Sequence, residues 1–184
     1  MVRMGGMEWV FDGGRPCLHL VNTLRSRHLP EGIELLTGPD ALAEWLELAG
    51  FGRLPVTVAQ LESAKELREA VNRLLTAKPM VADVRLVNDA LAAAPKPDRL
   101  VVKHGILQRE VPAPADPVAT AFAVLAADAV DLATGTEDIR ICSAHDCGLR
   151  FVDTSPRRTR QWCSMSRCGN RVKARAHYER TKNR

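Results

Sequence analysis

Four cysteines near the C-terminus constrain this chain more than any other feature. Cys142, Cys147, Cys163 and Cys168 form two Cys-x4-Cys pairs with fifteen residues between them. Zinc takes four thiolate or imidazole ligands in a tetrahedron, and two short chelating loops joined by one excursion supply four thiolates without knotting the chain. The spacing therefore predicts a structural Zn2+ site rather than disulfides, in a protein kept in a reducing compartment.

Basic charge gathers around those cysteines. Residues 140–184 hold twelve Lys or Arg against three acids, Asp146, Asp153 and Glu179, while the residues before them hold fourteen against nineteen. A net charge of +4 thus conceals a basic module on a mildly acidic body. Such polarity suits a binder of phosphate backbones, because each neutralised phosphate releases condensed counterions. A solvated basic face with no partner is the plainer alternative.

At 184 residues and 46% hydrophobic, the chain can bury one good core plus a small metal-stabilised appendage. The expected division is a helical domain over 1–135 and a finger over 136–184. No apolar run approaches the roughly 20 residues of a membrane helix, and Met1 to Gly6 lead into no signal-peptide core, so a cytoplasmic protein is expected. Cys17, in the run Pro16-Cys17-Leu18-His19-Leu20-Val21, reads as a small buried hydrophobe.

The first domain is predicted to be mostly helical. A short helix over 16–25 places Leu18, Val21 and Leu24 on one face. Its polar residues Asn22 and Thr23 either buttress a neighbouring loop or join Arg15 and His19 in a ligand pocket. Thr37-Gly38-Pro39-Asp40 starts a second helix that stops at Gly50. Thr57 and Gln60 have capping-box spacing before the longest helix, to Ala77, and a fourth covers 81–93, ahead of Pro95 and Pro97. Leu100-Val101-Val102 and Ile106-Leu107 flank His104-Gly105 as a β-hairpin, and Asp116-Pro117 opens a largely buried helix closed by Gly135. Gly135-Thr136-Glu137 is the candidate hinge.

The metal spacing predicts the second domain. A short strand over 140–142 enters a knuckle and returns over 147–152, with Gly148 free to take a positive φ. Ser164 or Ser166 then caps a helix whose start carries Cys168. This is a treble-clef-like zinc finger with four cysteine ligands; a zinc ribbon plus C-terminal helix is the alternative. The fold class is mainly α with a small β-hairpin, an α+β chain with the finger at its C-terminus. His145 lies inside the first chelating loop, but four thiolates already complete the shell. No His-Glu-x-x-His, phosphate loop or Gly-x-Ser-x-Gly elbow accompanies the cysteines, and His177-Tyr178-Glu179 lacks the Pro-Cys-x-x-Cys of a deaminase. The zinc is therefore expected to be structural and the protein not an enzyme.

Cys168-Gly169-Asn170-Arg171 is the tetrapeptide that names the CGNR zinc-finger family, and it carries the fourth ligand. Cys142-x4-Cys147, the run Arg157 to Arg160, Trp162-Cys163-Ser164 and Val172-Lys173-Ala174-Arg175 resemble the same pattern over about the last 45 residues. Upstream, the segment from Gly13 to Leu24 resembles the opening of the helical ABATE domain that usually precedes this finger, although that pattern commonly has an acid where this chain has His19. The resemblance implies a stress-related bacterial transcription regulator, with the finger on duplex DNA and the first domain sensing a small-molecule effector. On that reading Arg157, Arg158, Arg160, Arg171, Lys173 and Arg175 contact phosphates, and Asn170 and Arg171 have donors for base edges. Asn170 and Arg171 can equally support the zinc thiolates. Trp162 reads as finger core before a stacking platform. One finger buries little surface, so specific recognition favours a homodimer. An RNA- or protein-interaction zinc module on a small-molecule-binding helical domain is the alternative function.

Overall fold

The computed structural model describes residues 3–4, 7–30 and 32–182. Met1, Val2, Gly5 and Gly6, on which the N-terminal reading rests, lie outside them. A two-residue strand β1 (Arg3–Met4) pairs with β2 (Met7–Glu8) ahead of helix α1 (Pro16–Val21). Proline at its first position presets α1's backbone, and the Asp128 carboxylate accepts the Cys17 N–H at 2.8 Å, satisfying one free donor of the first turn. Cys17, Leu18, Leu20 and Val21 are all fully buried, so α1 is the centre of the core.

The sequence pattern carries α1 on to Arg25, but the helix stops at Val21. Asn22 caps its C-terminus, and Leu24–Arg25 forms strand β3, paired antiparallel with β4 (Ile33–Glu34). The break has a physical cause: the Thr23 hydroxyl turns back to the Leu20 carbonyl, and the Asn22 amide is bonded elsewhere, as described below.

Helix α2 (Pro39–Leu46) starts behind Gly38 rather than a Thr37 cap, and continues as a wider π turn (Glu47–Phe51) that ends where Gly50 takes φ 93°. In α3 (Val58–Thr76) the capping box is present, with Thr57 and Gln60 bonding each other's backbone N–H. Helix α4 (Val81–Leu91) ends before the prolines. Helices α3, α4 and α5 (Pro117–Thr134) pack on one another, and α1 lies against α3 and α5. Asp116 caps α5 by accepting from Val118 N and Ala119 N.

Helix α5 corrects the expectation that no run is long and apolar enough to span a membrane, since its 18 residues meet that test by length and composition. Its apolarity is explained by burial: Val118, Ala121, Phe122, Leu125, Ala126, Ala129 and Leu132 face the core.

Two charged groups inside this body escaped the sequence reading. Arg68 is 3% exposed and grips Glu34 with two 2.7 Å bonds, while its Nε donates to Glu69 and Nη1 to the Thr23 hydroxyl. Its position one turn beyond Ala64 on the Leu61–Val71 stripe was the available signal. Asp83 on α4 is also buried, and hydrogen bonds from the Arg73 guanidinium hold its carboxyl below the usual range.

Strands β5 (Arg99–Lys103) and β6 (Ile106–Glu110) form the expected hairpin, turning on His104 (φ 53°) and Gly105 (φ 74°), both left-handed as a type I′ turn requires. The register pairs Leu100 with Arg109 and Val102 with Leu107, so Leu100, Val102 and Leu107 share one face, and all three are about two-thirds exposed.

Candidate metal centre and basic helix

Strand β7 (Ile139–Ile141) enters the metal knuckle and β8 (Arg150–Val152) leaves it, paired Ile139 to Val152. The Cys142 N–H bonds the Leu149 carbonyl at 2.8 Å, and Cys147 N–H bonds Ala144 O at 3.0 Å, closing the loop tightly. Gly148 takes φ 66°, and a Cβ there would lie 2.6 Å from the His28 ring, so both conformation and crowding require glycine. Ser164 caps the second half by accepting from Arg167 N; a π turn (Met165–Gly169) carries Cys168 and leads directly into α6 (Asn170–Lys182).

These elements bring all four cysteines together. Their sulfurs lie within 4.8 Å of one another, all buried, with Cys147 to Cys163 and Cys163 to Cys168 at 3.7 Å. A tetrahedron with metal–sulfur bonds of about 2.3 Å has edges of about 3.8 Å, so the spacing fits zinc. The electrostatics agree. Hydrogen bonds from Cys147 and Cys163 drive Cys142 toward the thiolate, bonding to Cys142 and Cys147 drives Cys163 up, and burial pushes Cys168 up to about 12. Four such sulfurs become thiolates together only around a cation.

Half of the finger's apolar cluster is the cysteines themselves; Ala144, Leu149 and Phe151 fill the rest, with Val10 from the N-terminal segment. Trp162 and Val172 pack against it. Val152, conversely, belongs to the core of the helical body.

The predicted nucleic-acid residues divide by environment. Arg157 and Arg158 are exposed before Trp162. Arg160 is engaged within the finger: its guanidinium stacks 4.8 Å over Phe151, and it donates to the carbonyls of Trp162 and Cys163. Arg171 ties the two halves of the knuckle, its Nη2 lying 2.8 Å from Asp146 and 3.7 Å from the Cys168 sulfur. Asn170 is exposed at the start of α6, Lys173 lies 6.0 Å from the Trp162 ring, and Arg175 pairs with Glu179 on the surface. His145 is exposed and outside the thiol cluster.

The four residues of the expected ligand pocket, Arg15, His19, Asn22 and Thr23, lie along and beside α1. Arg15 bridges Asp128 on α5 and Glu137 beyond it, so the proposed hinge is tied to the body. The His19 ring stands edge-on to Phe11, with its Nε2 buried and unbonded, and burial lowers its pKa. Thr23 is held by Leu20 O and Arg68. Asn22 acts as the buttress the sequence allowed: its Nδ2 donates to Arg150 O and its Oδ1 accepts from Arg150 N, both at 2.9 Å. One side-chain amide thus imitates a strand partner for β8. Ser26 N–H to Cys147 O and Val152 N–H to Gly13 O complete this seam between body and finger.

A helical body joined through that seam to a closed four-cysteine knuckle and a basic helix defines a zinc-finger protein. Residues 139–181 match the model of the CGNR zinc finger, and residues 14–136 match ABATE, described as "Putative stress-induced transcription regulator". The chain belongs to the ABATE family and carries the CGNR finger after that domain. Neither is an enzyme family. No curated protein matches the chain.

Proposed function

We propose that the protein is a DNA-binding transcription regulator whose zinc, held by Cys142, Cys147, Cys163 and Cys168, is structural and non-catalytic. The observation that carries this reading is α6. It bears Arg171, Lys173, Arg175, Arg180 and Lys182 against one acid, Glu179, and among its described side chains only Val172 is drawn toward the finger core. A helix that buries no stripe of its own gains little from the fold and is available to a partner. The zinc knuckle anchors its first turn through Cys168 and Arg171, leaving Arg157, Arg158, Lys173 and Arg175 for phosphates and Asn170 for base edges. In this assignment 136–184 is the DNA-facing part and 1–135 the sensing part of a cytoplasmic, bacterial stress regulator.

The test is fluorescence anisotropy with a random-sequence duplex over a salt series. With about four phosphates neutralised, the slope of log K against log salt should be near −4, and Lys173→Gln/Arg175→Gln should make it shallower by about two. Salt-independent binding, or none at low ionic strength, would defeat the proposal. Preference for structured RNA in competition would favour an RNA module instead.

Specific recognition by one finger calls for two half-sites, and we propose a homodimer with the β5–β6 hairpin as its contact. An isolated two-stranded ribbon is marginal in water, yet this one turns Leu100, Val102 and Leu107 outward beside an Arg109–Asp98 ion pair, a face that a second copy can cover with matching apolar and charged groups. Light scattering should give twice the chain mass, and Leu100→Glu/Val102→Lys should halve it. A monomeric wild type would exclude this contact.

A further inference from the structure

A cavity of about 270 Å³ opens at the seam, with walls from both parts of the chain: Arg27 and His28 follow β3, whereas Ile141, His145, Gly148 and Arg150 belong to the zinc knuckle. None of its lining residues is acidic. The cations here are incompletely satisfied. Arg27 spends both terminal nitrogens on Glu69, at 2.6 and 2.9 Å, and on Val21 O, while its Nε is buried without a partner, and only 10% of the side chain is exposed. Arg150 donates Nη1 to Gly148 O at 2.6 Å, its Nε is likewise buried and unpartnered, and it forms no ion pair among the described residues. His28 donates Nε2 to the His145 carbonyl at 2.5 Å, so the two imidazoles stand edge to face beside the arginines.

We propose that this cavity binds a small oxyanion, a carboxylate or phosphoryl group of a free metabolite, at the guanidinium of Arg150, the lining cation that forms no ion pair among the described residues, with Arg27 beside it. A guanidinium offers an oxyanion charge-assisted hydrogen bonds, which are stronger than those between neutral groups. The local field points the same way: burial, and then the like charge of Arg27, lowers the Arg150 pKa to about 10 against the opposing attraction of Glu69, so a bound anion would add to an incomplete neutralisation. The volume admits a few heavy atoms beyond the anionic group. Because its walls come from both sides of the seam, the bound anion links finger to body, which is the geometry an effector needs. The site itself is independent of DNA binding; only that regulatory consequence rests on it.

The experiment uses the zinc-loaded full chain and follows arginine Nε–Hε resonances and melting temperature. Inorganic phosphate and succinate are titrated separately, against sodium chloride at equal ionic strength. Saturable shifts of the Arg27 and Arg150 signals, with a rise in melting temperature, are expected from at least one of them. Arg150→Gln should weaken binding about tenfold, the loss of one charge-assisted hydrogen bond, and Arg53→Gln, an exposed site paired with Glu47 far from the seam in sequence, should not change it. If Arg150→Gln fails to fold, the wild-type spectra and Arg150→Lys, which keeps charge but loses the fork, decide. Shifts with duplex DNA but with neither free anion, shifts confined to arginines of α6, or undiminished affinity in Arg150→Gln would each overturn the proposal.

Discussion

Removing zinc with a strong chelator is expected to unfold the knuckle and release α6, with one zinc per chain found in the purified protein beforehand. The reason is the small apolar content of this part. Four of the eight buried residues in its cluster are the cysteines. Take the metal away and the remaining side chains cannot offset the chain entropy of ordering the finger. Structural zinc in comparable modules contributes about 10–16 kcal/mol of apparent binding free energy at neutral pH, far more than those few apolar groups. The readout is Trp162 fluorescence and proteolysis within 139–182, and Cys147→Ser should behave as the chelated protein does. An apo-protein with unchanged Trp162 emission and protease resistance would contradict a structural metal. The body should also loosen at one place, because Asn22 and Ser26 lose the backbone partners that the knuckle holds for them.

Replacing Asn22 by leucine tests that contact from the other side. The substitution keeps roughly the shape but removes both 2.9 Å bonds, leaving the N–H and C=O of Arg150 without partners in a part-buried setting. Two such losses amount to about 2–4 kcal/mol. In a chain of this size the melting temperature should fall by roughly 5–15 °C. Calorimetry should also show whether the single transition separates into two, as expected once the seam is weakened. A variant that melts with the wild type would mean that the amide is incidental to docking.

Much of the helical body was legible because its signals are local. Thr57 with Gln60, Asp116 before Pro117, and Gly105 in the hairpin each act on backbone groups within a few residues, and each does so in the structure. The metal centre was legible for a different reason: cysteine spacing encodes chelation directly, and Cys168-Gly169-Asn170-Arg171 marks the family that the match confirms. What the sequence concealed is long-range. Asn22 meets Arg150 across 128 residues, and nothing near Asn22 marks it as a partner for a strand. Arg160 sat in a basic run read for phosphate contact, and nothing in that run marked its stacking on Phe151 or its bonds to two carbonyls. Arg27, His28 and Arg150 form one cavity only because β3 and β8 meet.

Val10 completes the cluster around the cysteines, and Val152 completes the core around α1. Each side therefore lends the other a plug for its socket, and the linker at 135–138 is a poor place to cut. A finger expressed alone leaves the Val10 hole open, and a body expressed alone does the same at Val152. The finger is consequently not a cassette: a chimera that grafts it onto another scaffold must bring matching residues for Val10, Gly13, Asn22 and Ser26, positions that any shuffling of these two parts has to inherit together.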